Sequence, residues 1–322
     1  MEQTTATEIA TFPPRYLLEN IVVRHDGSII ITAYNQRELY YLPNPGQSEV
    51  KPRLMYTFKD YPTGIVEATP DVFYISTVSI MRGKLEGNPA RLYKLDMRNF
   101  TGDLPEPVLA LTFPPEALGL NGSCALSPSV LLLADSWAGL IWRVDVPEID
   151  STPPSVQVWY KHDMMGRGKN PRTIDVPGIN GVKYHSRLYQ VYFTNTAQTI
   201  FGRVQVDPAT LGPLGDPVEV TDRWMWADDF IIDERANVAY VTTHRQNSIE
   251  KIHLKTGVRQ NCIGNPLTLK LLGPTAGAWS HQSKDYGRVA YFLTDGGHMN
   301  PYEGVFRDAK VLRVEFPSEI AA

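Results

Sequence analysis

Short apolar runs rich in Val, Ile, Tyr and Phe recur along the whole chain, and Gly, Pro, Asp and Asn separate them. Such runs are typical of β-strands joined by turns, because β-branched and aromatic side chains fit a half-buried pleated surface. No stretch keeps a helical spacing of apolar residues over more than about two turns. The pattern therefore predicts an all-β protein.

One unit of strand, polar turn, strand, loop and strand can be followed six times, with starts 45, 57, 59, 48 and 48 residues apart. Repeats of this length are typical of four-stranded propeller blades. The sequence predicts one domain, residues 1–322, folded as a six-bladed β-propeller, with the segment TEIATF at residues 7–12 closing the ring beside the last blade. A β-sandwich with coincidental spacing is the alternative. The copies begin with ENIVV (residue 19), GIVEA (64), NGSCA (121), NGVKY (180), DDFII (228) and AGAWS (276).

The first residue of five copies lies seven positions ahead of the first hairpin turn. Equivalent positions in a propeller are related by rotation about the central channel, and the innermost strands start at its mouth. Four of these residues offer oxygen, and we expect them to converge: Glu19, Asn121, Asn180 and Asp228. Two carboxylates and two amide oxygens suit a hard cation such as Ca²⁺. The sequence therefore predicts a site for Ca²⁺ or another divalent metal, although Asn and Asp also cap turns at strand ends.

Loops that enter the first strands and loops that leave the second strands should surround the channel mouth. Several of these loops carry Trp, and indoles beside a cleft usually serve an apolar or planar ligand. The candidates for catalytic work at this mouth are Tyr34, Trp137, Trp226, Asp229, His244 and His298. The partner we expect is an apolar or aromatic small molecule. The alternative is that the Trp side chains pack between blades.

The composition argues against several classes of function but does not identify one. Of 322 residues, 43% are hydrophobic, and the net charge of −4 argues against a nucleic-acid partner. The chain has no run of about 18 apolar residues that would predict a membrane span. Residues 1–20 lack the apolar core of a secretory signal, so we expect a cytoplasmic protein without a membrane partner. Two cysteines, Cys124 and Cys262, could pair but form no disulfide framework.

Motifs of other chemistries are missing from the sequence. It contains no nucleophile elbow, no H-E-x-x-H zinc motif, no C-x-x-C pair and no phosphate-binding loop. The segment MGRGKN near Arg167 has two glycines but neither the full dinucleotide fingerprint nor the strand and helix context that it needs. The sequence therefore predicts no organic cofactor.

Glu at the start of the first copy, Asn-Gly in the third and fourth, and Asp in the fifth resemble the regucalcin/gluconolactonase family and its relatives, the paraoxonase-type lactonases. The resemblance covers nearly the whole chain, and phrases such as LLLADSWAGLIWRV and GINGVKYHSRLYQVYFTN look like fungal members of that group. It implies that Glu19, Asn180 and Asp228 bind one divalent metal. Asn121 matches the additional Asn of the paraoxonase pattern.

Two departures from the family speak against a sugar-lactone specificity. Gly119 stands where regucalcin-like proteins have an Arg that holds a sugar acid. Asp229 follows Asp228 where those proteins have Gly and the paraoxonases have Asn.

The resemblance implies two enzymatic functions. A metal-dependent lactonase would use the ion to polarise a carbonyl and activate water, with Asp229 or a His of the loops as the base. The fungal relatives also include hetero-Diels–Alder enzymes that join tropolone quinone methides to a terpene alkene, which requires an apolar vessel and hydrogen-bond donors. A non-enzymatic binding module and strictosidine-synthase-like chemistry are weaker alternatives. The missing Arg, the added Asp and the Trp-rich loops favour a biosynthetic cyclisation of the hetero-Diels–Alder type over lactone hydrolysis.

Overall fold

A computed structural model describes residues 3–46, 49–81, 84–85, 89–147, 152–170, 176–224, 226–282 and 284–317. The chain divides into two compact units, called unit one (Met1–Thr57 with Asp228–Ala322) and unit two (Phe58–Ala227). Each unit carries three four-stranded sheets, and the six sheets are the blades of an all-β propeller. The predicted fold class is therefore confirmed, whereas the single domain stays a prediction.

The strands follow one another in chain order as β1 (Thr5–Pro14), β2 (Leu18–Val23), β3 (Ile29–Ala33), β4 (Glu38–Leu42), β5 (Arg53–Thr57), β6 (Tyr61–Thr69), β7 (Val72–Val78), β8 (Ile80–Met81), β9 (Lys84–Leu85), β10 (Arg91–Asp96), β11 (Val108–Thr112), β12 (Leu120–Ser127), β13 (Val130–Asp135), β14 (Leu140–Asp145), β15 (Ser155–Lys161), β16 (Ile179–His185), β17 (Gln190–Asn195), β18 (Ile200–Val206), β19 (Pro213–Glu219), β20 (Ala227–Asp233), β21 (Val238–Thr243), β22 (Ser248–His253), β23 (Arg259–Gly264), β24 (Pro274–Trp279), β25 (Val289–Thr294) and β26 (Asp308–Glu315).

Helical structure is nearly absent. Within the described ranges, the one helical element is a 3-10 turn at Asp163–Met165. No helix in that part of the chain is long and apolar enough to cross a membrane.

Unit one contains blade one (β2-β3-β4-β5), blade five (β20-β21-β22-β23) and blade six (β24-β25-β26-β1). The N-terminal strand β1 runs antiparallel to β26, so blade six combines one strand from the start of the chain with three from its end. This pairing confirms the prediction that residues 7–12 close the ring.

Unit two contains blade two (β6-β7-β10-β11), blade three (β12-β13-β14-β15) and blade four (β16-β17-β18-β19). A two-stranded hairpin, β8 with β9, lies in the connection between the second and third strands of blade two. The second strands are buried along their whole length, as in β7 and β13, whereas the outer strands β11, β15 and β19 are mostly exposed.

The cores lie between neighbouring blades of the same unit. In unit one, Ile31 of blade one packs in the same cluster as Leu293 of blade six, and Ile249 of blade five packs with Phe292. In unit two, Leu132 and Phe193 belong to one cluster between blades three and four. Full burial of such side chains stabilises the fold by roughly 1.5–3 kcal/mol each.

The two cysteines are free thiols, Cys124 buried and Cys262 half-buried. The disulfide that the sequence left open is therefore not formed.

Candidate active site

The innermost strands of five blades carry a β-bulge near their start, and the bond from the Asp229 N–H to Thr242 Oγ1 assigns Asp228 to the same position in blade five. In blade one the pairing of β2 with β3 slips at Glu19, and in blade four the pairing of β16 with β17 slips at Asn180. A bulge re-aims the side chain of the extra residue, which otherwise would alternate with its neighbours. The residues at this position, called the bulge residues, are Glu19, Thr63, Asn121, Asn180, Asp228 and Thr275. The four predicted metal ligands therefore stand at one equivalent position of four blades.

The repeat starts predicted for blades two and six need correction by one residue. The sequence spacing placed Gly64 and Ala276 at the repeat starts, but the register assigns Thr63 and Thr275 to the bulge. A bulge adds a residue to one strand only, so counting from the hairpin turn cannot locate it. Gly64 is required for a different reason, since a Cβ there would lie 2.2 Å from the backbone oxygen of Asn121.

The pair Asp228 and Asp229 fills the bulge of blade five. The N–H of Asp229 donates to Thr242 Oγ1 at 3.1 Å, and the carbonyl oxygen of Asp229 lies 2.8 Å from the same hydroxyl. This fixes the backbone just before the apolar residues Phe230 and Ile231, which are buried. Two adjacent carboxylates can precede an apolar strand because the bulge interrupts the alternation of side chains.

Four carboxylates of unit one act on one another and are called the carboxylate cluster: Glu19, Asp228, Asp229 and Asp295. Loss of hydration and the charge of Asp228, with smaller effects of Asp229 and Asp295, raise the pKa of Glu19 from 4.5 to about 8, against the lowering charge of His244. Gathering like charges in a poorly hydrated place is unfavourable unless a cation or protons compensate them. Such arrangements are therefore concentrated at functional sites.

His244 is the cationic partner of this cluster. Its Nε2 lies 3.0 Å from Oδ2 of Asp295, and the side chains are 13% and 0% exposed. Burial lowers the pKa of His244, but the charge and hydrogen bond of Asp295, followed by Asp228 and Glu19, raise it overall from 6.5 to about 9. Both shifts favour the protonated forms of Glu19 and His244 in the metal-free protein.

Two asparagines of unit two are held by hydroxyl groups. Asn180 Nδ2 donates to Thr196 Oγ1 at 2.9 Å, and Asn121 Nδ2 donates to Ser136 Oγ at 3.3 Å. Each hydroxyl in turn donates to a main-chain carbonyl, so its proton is committed and it can only accept from the amide. The amide nitrogens are thereby assigned to the hydroxyls, and the side-chain oxygens are the atoms suited to a metal ion. Their convergence with Glu19 and Asp228 stays a prediction.

Trp137 fills the space beside Gly119. A Cβ at Gly119 would lie 1.9 Å from Trp137 Cδ1, so no larger residue fits there unless the indole moves. The guanidinium of Arg167 covers the Trp137 ring at 4.4 Å from its centroid. The indole therefore fills the space beside Gly119, and one of its faces is covered by Arg167.

The remaining predicted residues lie on the loops where the sequence put them. Trp226 is half-buried directly ahead of β20, and Tyr34 follows β3. His298 follows β25, and its main-chain N–H donates to the Asp295 carbonyl at 3.1 Å. Their catalytic roles stay predictions. The residue that the sequence missed is Asp295, which no spacing signal marked.

A metal ion at the predicted site would need the side-chain oxygens of Asn121 and Asn180 as ligands. Among the residues that the structure describes, no group of three or more His, Cys, Asp or Glu side chains is placed to hold a metal ion. The predicted set contains only two acids, Glu19 and Asp228, and completes its donors with two amides. All of these donors are oxygens, and the amide nitrogens are assigned elsewhere, so the set fits a hard cation such as Ca²⁺.

Several solved structures have a fold similar to that of this chain. No protein-family model matches the sequence, and a search of curated protein sequences finds no match. A luciferin-regenerating enzyme matches with 13% identity and a TM-score of 0.69, covering 97% of this chain and 95% of that one. Regucalcin from Agrobacterium tumefaciens, described as a calcium-binding protein, matches with 14% identity and a TM-score of 0.62, covering 97% of both chains. An auxiliary nutrient binding protein from Bacteroides ovatus matches with 10% identity and a TM-score of 0.68, covering 99% of this chain and 78% of that one.

These neighbours show that the chain shares its fold with regucalcin and with a luciferin-regenerating enzyme. At such low identities the likeness extends to the fold alone, and the neighbours include both enzymes and a binding protein. The function must therefore be argued from the residues of the site.

Proposed function

We propose that the protein is a hydrolase that uses a divalent cation, with Ca²⁺ as the simplest choice, to open the ring of an apolar or aromatic lactone. The observation that carries this proposal is the carboxylate cluster of unit one. Glu19, Asp228, Asp229 and Asp295 act on one another there, with one His as their cationic partner among the groups that set the pKa of Glu19. A divalent cation would neutralise charges that the chain compensates only by holding protons.

Glu19 and Asp228 are the acids that would hold the ion, and the oxygens of Asn121 and Asn180 are the further ligands that we propose. When bound, a divalent cation polarises a carbonyl oxygen and lowers the pKa of water. The chain itself fixes the ligands beforehand through the bulges and the two hydroxyls. Side chains that are already fixed lose little conformational freedom when they bind an ion. This pre-orientation favours both the affinity for the ion and the geometry of its coordination.

The substrate class follows from Gly119 and Trp137. Gly119 offers no guanidinium to recognise a sugar acid, and the indole of Trp137 fills the space beside it. Trp226, half-buried and two residues ahead of Asp228, adds a second aromatic surface next to the acids along the chain. Both features favour an apolar or planar acyl group over a polyhydroxylated one.

A hetero-Diels–Alder cyclisation is the second candidate, and one observation favours it. The charge of Asp295 keeps the pKa of His244 at about 9, so this side chain is a charged hydrogen-bond donor at neutral pH. A donor of that kind would stabilise the heterodiene oxygen as it gains negative charge. This reaction has no use for four gathered carboxylates, which is why hydrolysis is the preferred proposal.

The test compares both reactions in one preparation. The protein is stripped of divalent cations with a chelator and then reloaded with Ca²⁺, Mg²⁺, Mn²⁺ or Zn²⁺. Acid release from a panel of aliphatic and aromatic lactones is followed, and separately the product of a quinone-methide precursor with a cyclic terpene. Glu19→Gln and Asp228→Asn are compared with Glu49→Gln, an exposed Glu of the same unit.

We expect metal-dependent lactone opening that Glu19→Gln and Asp228→Asn abolish and Glu49→Gln leaves unchanged. A cycloaddition that needs no metal and is lost in Trp226→Ala would overturn the preferred proposal in favour of the second. Absence of both activities would overturn both.

A further inference from the structure

The residue that directly follows the second strand stands at an equivalent position in each blade. In four blades its N–H donates to the carbonyl two residues ahead of the bulge residue, as Thr196 does to Gly178 at 3.1 Å and Asp295 to Gly273 at 2.8 Å. The exit residues, as this set is called, are Tyr34, Ser79, Ser136, Thr196, His244 and Asp295.

In blades three and four the exit residue has a structural task. Ser136 Oγ donates to the carbonyl of Ile179 at 2.5 Å, and Thr196 Oγ1 donates to that of Ala227 at 2.7 Å. Each of these carbonyls belongs to the residue just ahead of the next bulge residue, and within unit two the Ser136 hydroxyl ties blade three to blade four. Ser or Thr is sufficient for that task.

Blades five and six depart from this pattern. Their exit residues are His244 and Asp295, and these two side chains bond to each other at 3.0 Å. In these blades Thr242 and Thr275 supply the ties, because Thr242 Oγ1 donates to the Thr275 carbonyl at 2.6 Å and Thr275 Oγ1 to the Leu18 carbonyl at 2.7 Å. The His–Asp pair is therefore not needed to hold the blades together.

Asp295 is built as a fixed carboxylate. Its Oδ1 accepts from the N–H of Gly297 at 2.7 Å, and its Oδ2 accepts from the N–H of Met299 at 3.0 Å. The side chain is fully buried, and a Cβ at Gly273 would lie 1.8 Å from Oδ1, where φ is +66°. Only Gly fits that position, so the chain leaves room for the carboxylate and donates to both of its oxygens.

The fixed carboxylate of Asp295 determines which imidazole nitrogen of His244 can exchange a proton with a ligand. Because both Asp295 oxygens accept, the proton of the shared bond sits on Nε2 of His244. Among the described residues, His244 has no hydrogen-bond partner besides Asp295. Its Nδ1 is therefore the nitrogen that can exchange a proton with a ligand.

We propose that His244 donates the proton that the leaving oxygen needs in lactone opening, from Nδ1, and that Asp295 is the positioning residue that fixes its tautomer and ring orientation. This inference rests on the proposed hydrolysis. As water attacks the carbonyl carbon and gives up a proton to solvent, the bond from that carbon to the ring oxygen breaks. The ring oxygen keeps the electron pair and takes the proton from Nδ1, and neutral His244 regains a proton from solvent.

The test uses two kinds of leaving group. A lactone that releases a phenolate needs little protonation, whereas one that releases an alkoxide needs a proton in the transition state. We expect His244→Gln to reduce kcat about 100-fold on alkyl lactones and less than about 5-fold on phenol-derived lactones. Asp295→Asn should give the same pattern with a smaller loss. His281→Gln and Asp308→Asn, exposed residues of unit one, are the matched controls.

A second readout is independent of turnover. Nitrogen-detected NMR of the metal-free protein above pH 9, where His244 is neutral, should find its single ring proton on Nε2 in the wild type. Asp295→Asn should shift this signal while the signals of the other His residues stay in place. Equal losses on both lactone classes would overturn the proton-donor role. An unchanged His244 signal in Asp295→Asn would overturn the positioning role. If Asp295→Asn does not fold, the leaving-group comparison in His244→Gln still decides the proton-donor role.

The two proposals fail differently. A wild type that opens no lactone with any metal would refute the hydrolysis, and the NMR result would then still decide whether Asp295 positions His244. A wild type that opens both lactone classes, with no leaving-group dependence in His244→Gln, would refute only the proton donor.

Discussion

Asn180 donates from Nδ2 to Thr196 Oγ1 at 2.9 Å, and the same hydroxyl donates to the carbonyl of Ala227 at 2.7 Å. The amide is thus oriented before any ligand arrives, because the hydroxyl has no second proton to offer. Asn121 and Ser136 repeat the arrangement in blade three. The bond from the hydroxyl to a main-chain carbonyl thereby sets which atom of the amide can bind a cation.

Replacement of Thr196 by Val should separate orientation from ligand identity. The change keeps the shape but removes the hydroxyl, so the amide of Asn180 loses its fixed partner and the buried carbonyl of Ala227 loses its donor. We expect about a 10-fold loss of Ca²⁺ affinity and a loss of about 1–3 kcal/mol in the free energy of unfolding. Titration calorimetry and urea unfolding measure the two.

Thr112→Val is the matched control, because Thr112 is exposed on the outer strand of blade two. It should change neither quantity. A Thr196→Val protein that binds Ca²⁺ as tightly as the wild type would show that the hydroxyl does not orient the ligand.

The stability of the metal-free protein should fall as pH rises from about 5 to 9. The pKa of Glu19 is about 8 in the folded state against 4.5, so the unfolded chain loses this proton first and stability declines between those values. The pKa of His244 is about 9 against 6.5, so its stabilising contribution is complete below pH 6.5 and lost as pH rises towards 9. Both groups act in the same direction, and melting temperatures across this range measure the sum.

Glu19→Gln should flatten the part of this decline between pH 5 and 8. Saturating Ca²⁺ should have its largest effect at high pH, because the ion binds the ionised carboxylate and competes with the proton. A melting temperature of the metal-free wild type that rises from pH 5 to 9 would contradict the assignment of protons to the cluster.

A chelator should lower the melting temperature of the Ca²⁺-loaded wild type and leave Asp228→Asn unaffected. A ligand that binds only the folded state raises stability by about 2.7 kcal/mol at a concentration 100 times its Kd. The Asn variant keeps the size of the side chain but removes one of the two anionic charges that we assign to the ion. Differential scanning calorimetry with and without chelator decides, and an equal shift in both proteins would argue against Asp228 as a ligand.

Gly119→Ala should disturb Trp137. The added Cβ would lie 1.9 Å from Trp137 Cδ1, so the indole must move or the loop must strain, at a cost of about 1–3 kcal/mol in stability. Gly166→Ala is a suitable control, since a Cβ there meets its nearest atom at 3.6 Å. Tryptophan fluorescence should change in the first variant and not in the second, and unchanged fluorescence and stability in Gly119→Ala would contradict the packing.

The fold could be predicted because the same short pattern of apolar strands and polar turns recurs in each blade. Short apolar runs such as Val130–Asp135 and turn residues at regular spacing are readable one blade at a time. The segment at residues 7–12 was predictable as the closing strand because blade six lacks an outer strand of its own.

The bulge of blade two could not be counted from the sequence. The Thr63–Gly64 bulge is decided by hydrogen bonds, including the bond from the Gly64 N–H to Ser76 Oγ at 3.1 Å, which a residue count does not contain. The start of blade two was therefore predicted one residue too late in the sequence, at Gly64 instead of Thr63.

Asp295 was missed for a related reason. His244 follows its bulge residue by 16 positions, but Asp295 follows Thr275 by 20, because the hairpin of blade six is longer. Only the structure aligns the two exit residues and brings their side chains into contact. The aromatic loops, by contrast, were found from the sequence, although Arg167 above Trp137 was not.

Direct titration of Ca²⁺ into the chelator-treated protein at pH 7.5 tests the central claim most directly. We predict binding of one ion with release of protons, since Glu19, whose pKa is about 8, must ionise. Proton release is measured by repeating the calorimetry in buffers of different ionisation enthalpy. Glu19→Gln should lose most of both the affinity and the released protons, whereas Glu49→Gln should retain both. No binding by the wild type, or equal binding and proton release in Glu19→Gln, would contradict the account.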